Sequence, residues 1–112
     1  KKIVKIIRSF LNINCKLSKL DSKLLEFVQK NELKKNIFKE FTSIQNLKKL
    51  NQEIQFITNF GRDIEYYTGI VFEIFSGTTE IARGGRYDDL LKSLGANKNI
   101  PAVGAAINLN NL

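Results

Sequence analysis

The residues best suited to chemistry are concentrated in one stretch of the chain, residues 61–91. Three of the four arginines, all three tyrosines and five of the seven glycines lie in it. Positive charge elsewhere is carried almost entirely by lysine. An arginine guanidinium is a planar fork that matches carboxylate and phosphate groups, whereas a lysine ammonium is a hydrated point charge. We therefore expect the functional site within this stretch.

The first candidate feature is Arg62, which stands beside Asp63 and near Glu65 at the start of a predicted strand. An arginine in that place can hold a carboxylate or a phosphate through two parallel hydrogen bonds. A surface ion pair between Arg62 and its acidic neighbours explains the same residues equally well, so both interpretations stay open.

The second candidate feature is the pair Tyr66 and Tyr67. Neighbouring residues in a strand point to opposite faces, so one ring can pack in the core while the other lines a pocket with its hydroxyl group. Ordinary packing is the competing interpretation for either ring.

The third candidate feature is the pair Gly84 and Gly85, which opens the sequence G-G-R-Y-D and is followed closely by Tyr87. Adjacent glycines let the backbone approach a ligand closely or adopt a positive φ. A bulge or turn without a ligand would use the same residues.

Composition excludes several classes of site. The chain has 112 residues, 43% of them hydrophobic, which is enough for one small folded domain or a piece of a larger one. It contains no histidine and a single cysteine, Cys15, so zinc sites, histidine-based acid–base catalysis and an internal disulfide are excluded within it. We expect no metal and no cofactor. The absence of methionine indicates a fragment of a longer protein. No apolar run approaches the length of a membrane span, and we expect a cytoplasmic location.

The net charge of +7 is distributed unevenly. Residues 1–50 carry a net charge of +9 and residues 51–112 a net charge of −2. The basic half uses 12 lysines and one arginine, whereas surfaces that read bases favour arginine and stacking aromatic rings. We therefore favour a solvated lysine-rich face over a nucleic-acid site, and we expect no nucleic-acid partner.

Apolar residues at spacings of three and four predict helices in the first half of the chain, residues 1–52. The apolar positions are Ile3, Val4, Ile6, Ile7, Phe10 and Leu11, then Leu20, Leu24, Phe27 and Val28, then Ile37, Phe41, Ile44, Leu47 and Leu50. We expect the first helix to end near Asn12, and Ser18 or Asp21 to cap the second. A break in the third is expected near residues 42–43.

The second half of the chain, residues 53–112, has the composition of strands. The predicted strands are residues 54–60, 66–75, 79–82 and 101–107, the last of them buried. A hairpin joins the second to the third through Gly77, and a helix over residues 88–94 ends at Gly95. These elements predict an α+β fold with a mostly antiparallel sheet and flanking helices, preceded by a helical segment.

Three motifs together resemble the histidyl-tRNA-synthetase-like class II family. Residues 62–67, R-D-I-E-Y-Y, resemble the first histidine-binding motif of that family (R-G-L-D-Y-Y), and residues 84–88 resemble the second (G-G-R-Y-D). Residues 101–104, P-A-V-G, resemble the strand that opens class II motif 3. Order and spacing agree over residues 54–112. The resemblance implies a fragment of the class II synthetase-like core, with residues 1–52 as the end of a helical insertion.

The family contains two functions. Histidyl-tRNA synthetases activate histidine with ATP and charge tRNA, whereas the regulatory subunits of ATP phosphoribosyltransferase charge no tRNA. The latter partner the short-form catalytic subunit at the first step of histidine biosynthesis. Asn111 stands where motif 3 normally has an arginine against ATP, and the sequence Y-Y-T-G at residues 66–69 is frequent in regulatory subunits. The chain also stops just past motif 3. The resemblance thus implies a regulatory, non-catalytic subunit, self-associating in the full-length protein and forming a hetero-oligomer with its catalytic partner.

The resemblance also implies a site for histidine as an effector. Arg62 would meet the carboxylate of histidine, while Tyr67 and Tyr87 would line the imidazole pocket and the two glycines would let backbone approach the ligand. The implied histidine-binding residues are Arg62, Tyr66, Tyr67, Gly84, Gly85 and Tyr87, with no catalytic residue and no metal. A fragment of a histidyl-tRNA synthetase and a scaffold with a vestigial pocket remain the alternatives.

Overall fold

The computed structural model describes residues 1–50, 52–60 and 66–112, apart from the side chains of Glu40, Thr42 and Ser43. It divides into two compact units, Lys1–Phe60 and Gly61–Leu112, which are described in turn. Within the described ranges, no helix combines the length and the hydrophobicity that a membrane crossing requires.

The first unit contains the two helices that apolar spacing predicted. Helix α1 spans Lys2–Leu11 and ends at Asn12. Helix α2 spans Leu20–Lys30. The buried residues of α2 are spaced by four, three and one positions, which places them on one face of the helix, packed against the core. Its buried residues are Leu20, Leu24, Phe27 and Val28.

The predicted cap of α2 was wrong. A short 3₁₀ turn, Leu17–Lys19, leads directly into the helix, so the N-cap position falls on Lys19 and has no side-chain cap. Ser18 is already inside that turn. Asp21 lies within the first turn of the helix, and its carboxylate accepts hydrogen bonds from Gln45 and Lys48 instead.

The third predicted helix is a 3₁₀ segment, Lys35–Lys49. Its interruption falls at Phe38, whose backbone is not helical, rather than at residues 42–43. The kink places the Phe38 ring against three others, with centroids 5.6 Å from Phe10, 5.8 Å from Phe27 and 5.5 Å from Phe41. Aromatic packing at these distances stabilises the departure from regular helix.

A two-stranded antiparallel sheet completes the first unit. Strand β1, Asn14–Lys16, pairs with strand β2, Gln55–Ile57, and Cys15 lies opposite Phe56. The sequence predicted the region of β2 but not β1. The core under this sheet is formed by Cys15, Leu17, Leu20, Leu24 and Ile44, with Ile13, Phe38, Phe41, Ile54 and Phe56 packed around it.

The second unit is a three-stranded antiparallel sheet with short helices. Strands β3, Val71–Ser76, β4, Thr79–Arg86, and β5, Val103–Ile107, lie in the order β3–β4–β5. The predicted hairpin joins β3 to β4, with Gly77 at φ 60° in its turn. Helix α3, Leu90–Ser93, ends before Gly95, which has φ 104°. The antiparallel sheets with helices confirm the α+β class.

Three strand predictions in this unit were wrong in extent or burial. Strand β4 continues through the adjacent glycines to Arg86, because β3 and β5 bind its backbone from both sides. Residues 66–70 lie outside any strand. Strand β5 is exposed rather than buried, and Val103 at its start is 73% exposed.

Candidate functional site

The three tyrosines of the chain meet in the second unit. The ring centroid of Tyr66 lies 4.6 Å from that of Tyr67 and 5.5 Å from that of Tyr87. Those of Tyr67 and Tyr87 are 6.4 Å apart. We call these three residues the tyrosine cluster. The prediction that Tyr66 and Tyr67 face opposite sides was wrong, because the alternation of a strand does not apply outside a strand.

Backbone hydrogen bonds hold the two halves of the cluster together. The N–H of Thr68 donates to the carbonyl oxygen of Arg86 over 2.9 Å, and the N–H of Arg86 donates to Ile70 over 3.0 Å. The N–H of Tyr87 donates to the carbonyl oxygen of Ala102 over 2.9 Å. The segment that carries Tyr66 and Tyr67 is therefore fixed to the end of β4, immediately before Tyr87.

Gly84 and Gly85 are buried within β4, and neither has a positive φ. The interpretation of this pair as a turn was therefore wrong. Instead, the missing side chains let neighbouring groups approach the backbone of β4 closely. A β-carbon on Gly85 would lie 2.7 Å from Cε1 of Tyr67 and 2.7 Å from the carbonyl oxygen of Ile70, and one on Gly84 would meet the backbone of β5. Both distances are shorter than real side chains show, so Gly85 supplies the surface on which the Tyr67 ring lies.

Gly104 has the same function for Tyr87, and sequence reasoning missed it. A β-carbon on Gly104 would overlap the hydroxyl oxygen of Tyr87, with Cζ at 3.2 Å. A glycine inside a predicted strand is a signal of close approach by another group, and that signal was available in P-A-V-G. The tyrosine cluster therefore rests on glycines of two neighbouring strands.

A polar network lies beside the cluster. One carboxylate oxygen of Asp88, Oδ2, accepts a hydrogen bond from Nε of Arg86 over 2.7 Å, and the other, Oδ1, accepts from the N–H of Ala102 over 2.9 Å. The N–H of Asp88 donates to the hydroxyl oxygen of Thr68 over 2.9 Å. The hydrogen bond from Arg86, followed by that from the Ala102 backbone, holds the pKa of Asp88 below its ordinary value.

Residues 61–91 contain two further arginines, Arg62 and Arg83. Arg83 forms an ion pair with Glu80 of the same strand, with 3.5 Å between Nη1 and Oε1. Arg62, predicted to hold a carboxylate, lies outside the described residues, as do Asp63 and Glu65. Its part in the site stays a prediction.

The structure gives Asn111 a definite role. It lies in a 3₁₀ turn, Leu109–Asn111, that follows β5, and its side-chain amide donates a hydrogen bond to the carbonyl oxygen of Glu80 over 2.8 Å. The amide thus fastens the end of the chain to β4. An uncharged amide in this contact cannot give the charge-assisted hydrogen bonds of an arginine to a nucleotide phosphate.

A groove lies in the first unit, and none of the described site residues lines it. Its volume is about 260 Å³, and its lining is mainly apolar, with Leu24, Val28 and Phe38 among the residues that form it. Lys35 and Lys39 also line it. Asp21 and Gln45, which also line the groove, are hydrogen-bonded to each other. Because the residues of two sequence motifs meet at the tyrosine cluster, the cluster is the better candidate for specific recognition.

The chemistry that the tyrosine cluster offers is recognition rather than bond-making. Phenol rings present apolar faces and edges, while their hydroxyl groups both donate and accept hydrogen bonds. Such a surface suits a small planar ligand with ring nitrogens.

Comparison with known proteins agrees with the motifs. A family model described as histidyl-tRNA synthetase matches residues 1–112. A protein of Sinorhizobium fredii named ATP phosphoribosyltransferase regulatory subunit is 37% identical over 109 residues, covering 91% of this chain and 29% of that protein. A protein of the same name from Brucella anthropi is 45% identical over 74 residues, covering 62% of this chain and 20% of that protein.

The chain corresponds to only part of each of these relatives. A third protein of that name, from Agrobacterium fabrum, is 32% identical over 109 residues and is again matched over 29% of its length. The chain thus spans less than a third of the curated relatives that it matches. No significant match was found among solved structures. Because the family model covers the whole sequence, the chain belongs to the histidyl-tRNA synthetase family.

Proposed function

We propose that this chain is the C-terminal part of a regulatory, non-catalytic subunit of ATP phosphoribosyltransferase, acting at the first step of histidine biosynthesis in the cytoplasm. Its partner is the short-form catalytic subunit, and the full-length protein self-associates. The observation that carries the proposal is the alignment of nearly the whole chain with proteins named as regulatory subunits of that enzyme.

The second part of the proposal concerns the site. Histidine binds at the tyrosine cluster as an effector, with its imidazole against the rings of Tyr67 and Tyr87 and its carboxylate on Arg62. The convergence of Tyr66, Tyr67 and Tyr87 within 6.4 Å supports this, because the two sequence motifs that supply them come from separate segments. Binding there would change activity only through the catalytic partner, as a coupling free energy between two sites.

Asn111 supports the non-catalytic assignment. Its amide is bound to the Glu80 carbonyl oxygen, at the position where a nucleotide-binding member of the family has an arginine. A chain that activated histidine would need a positively charged side chain near the triphosphate of ATP, because the negative charge of the triphosphate is the main feature by which a protein binds the nucleotide.

The test uses the full-length protein and the short-form catalytic subunit from the same genome. Phosphoribosyl transfer is measured for each protein alone and for the mixture, with and without histidine. We expect activity to appear on mixing and histidine to inhibit the mixture. Tyr87→Ala should weaken that inhibition, while Tyr87→Phe, which keeps the ring and loses only the hydroxyl group, should weaken it less.

A second candidate, a histidyl-tRNA synthetase, is favoured by the description of the matching family model. The same preparations separate the two functions. Histidine-dependent exchange of pyrophosphate into ATP by this protein alone, with no activation of the catalytic subunit, would contradict the regulatory proposal. If the wild type and every variant activate the catalytic subunit and histidine inhibits none of the mixtures, the regulatory function stands and the effector site is ruled out.

A further inference from the structure

We propose that Asp88 is the positioning residue of the tyrosine cluster, holding in one arrangement the two segments that carry its rings and the start of β5. This rests on the proposed binding of histidine at the cluster. Asp88 acts on the rings through the groups that it binds.

The carboxylate of Asp88 bridges two strands. Oδ2 accepts from Nε of Arg86, the last residue of β4, over 2.7 Å, and Oδ1 accepts from the N–H of Ala102, immediately before β5, over 2.9 Å. Since Ala102 also accepts the N–H of Tyr87, the residue that bears the Tyr87 ring is held on both sides. A carboxylate is needed because both partners are donors, and only an ionised acid presents two acceptor oxygens.

The backbone of Asp88 binds the third segment. Its N–H donates to the hydroxyl oxygen of Thr68 over 2.9 Å, and the N–H of Thr68 donates to the carbonyl oxygen of Arg86 over 2.9 Å. Thr68 directly follows Tyr67, so these two bonds fix the segment that carries Tyr66 and Tyr67 against the one that carries Tyr87. A threonine or serine can provide this acceptor; valine has the same shape without it.

The burial of the network fits a positioning role. The side chain of Asp88 is 26% exposed and that of Arg86 is 51% exposed, so the pair lies at the edge of the unit rather than in a core. An isolated surface ion pair contributes little to stability. This network's main effect is therefore expected on the geometry of the rings and only weakly on folding.

The variants that separate these effects are Asp88→Asn and Thr68→Val, with Thr68→Ser as the conservative replacement. In Asp88→Asn one oxygen becomes an amide donor, so either Arg86 or Ala102 loses its acceptor. Asp89→Asn is the matched control: it makes the same charge change one residue away, in a side chain that accepts a hydrogen bond from Asn99 rather than from the groups bound to Asp88.

Two readouts are made on the full-length protein. Histidine affinity is measured by titration calorimetry, and ring geometry by ¹⁹F NMR of protein labelled with 3-fluorotyrosine, with resonances assigned from the three Tyr→Phe variants. We expect both Asp88→Asn and Thr68→Val to weaken histidine binding by roughly tenfold. Asp88→Asn loses a charge-assisted hydrogen bond, and Thr68→Val leaves the N–H of Asp88 without its acceptor. They should shift or broaden the resonance of Tyr87 without ligand. Thr68→Ser and Asp89→Asn should match the wild type in both.

Each outcome decides one point. Wild-type affinity and unchanged tyrosine resonances in Asp88→Asn would overturn the positioning role. An equal loss of histidine affinity in Asp89→Asn would also overturn it, because the effect would then come from the change in charge rather than from the hydrogen-bond network. If the wild-type protein binds no histidine, the proposed effector function fails, and the ¹⁹F resonances without ligand still decide whether Asp88 positions the rings.

Discussion

The hydroxyl oxygen of Tyr87 occupies the place that a β-carbon would take on Gly104. A ring from the segment after β4 is therefore seated directly on the backbone of β5. The relationship is specific to the hydroxyl group, since the next atom of the ring, Cζ, would lie 3.2 Å from that β-carbon, a tight contact that a small shift can relieve.

This relationship predicts the effect of Gly104→Ala. The added methyl group should displace the Tyr87 ring and weaken histidine binding, at an overpacking cost of about 1–3 kcal/mol. Titration calorimetry on the full-length protein measures the affinity. Tyr87→Phe removes the colliding atom, so the same Gly104→Ala change made in that background should cost much less. Equal costs in the two backgrounds would mean that the hydroxyl group does not lie on Gly104.

Arg62→Lys tests the proposed hold on the carboxylate of histidine. The substitution keeps the positive charge but loses the planar pair of donors, so we expect weaker binding of histidine. Binding of histidinol, which lacks the carboxylate, should be unaffected by the same substitution. Unchanged histidine affinity in the variant would remove Arg62 from the site.

The core of the first unit is expected to be sensitive at Leu20, which is completely buried. Leu20→Ala leaves a cavity among packed side chains and should destabilise this unit by about 2–5 kcal/mol. Leu25→Ala is the matched control on the same helix, because Leu25 is 49% exposed. Hydrogen exchange of peptides from residues 13–30 measures the local opening free energy. Similar exchange in the two variants would contradict the assignment of this core.

Acidification should loosen the network around Asp88. The pKa of this carboxyl is lower in the folded protein than its ordinary value of 3.8, first through Arg86 and then through the Ala102 backbone N–H. Its contribution to stability is therefore present above the unfolded pKa and is lost as the pH falls through the folded pKa. Hydrogen exchange of the second unit, followed from neutral to acidic pH, should show a difference between wild type and Asp88→Asn that shrinks with acid. A constant difference would show that ionisation of Asp88 is not involved.

The elements predicted best from the sequence are those whose contacts are local. Helices α1 and α2 follow from apolar spacing within about ten residues, and the β3–β4 hairpin follows from a glycine between two strand-like runs. Strand β1 was missed because its partner is distant: Cys15 lies opposite Phe56, and nothing in three residues encodes a pairing that far along the chain.

The sequence predicted which residues form the candidate site but not how they are arranged. The motifs identified the residues that form the tyrosine cluster, which the structure brings together. They did not indicate Thr68, because it acts through contacts made only in the folded chain. Gly104 did give a signal, as a glycine inside a predicted strand, but its contact with Tyr87 appears only in the structure. Glycines weaken strand propensity, so the extension of β4 through Gly84 and Gly85 also depends on neighbours rather than on local preference.

The tyrosine cluster has a practical consequence for spectroscopy. This chain contains no tryptophan, and all three of its tyrosines lie in the cluster. Its tyrosine fluorescence and its near-ultraviolet circular dichroism therefore arise chiefly from one place, with only the weaker bands of phenylalanine added. Rings held this close exchange excitation energy, so this part of the protein carries an intrinsic optical reporter of whatever occupies or disturbs that one place.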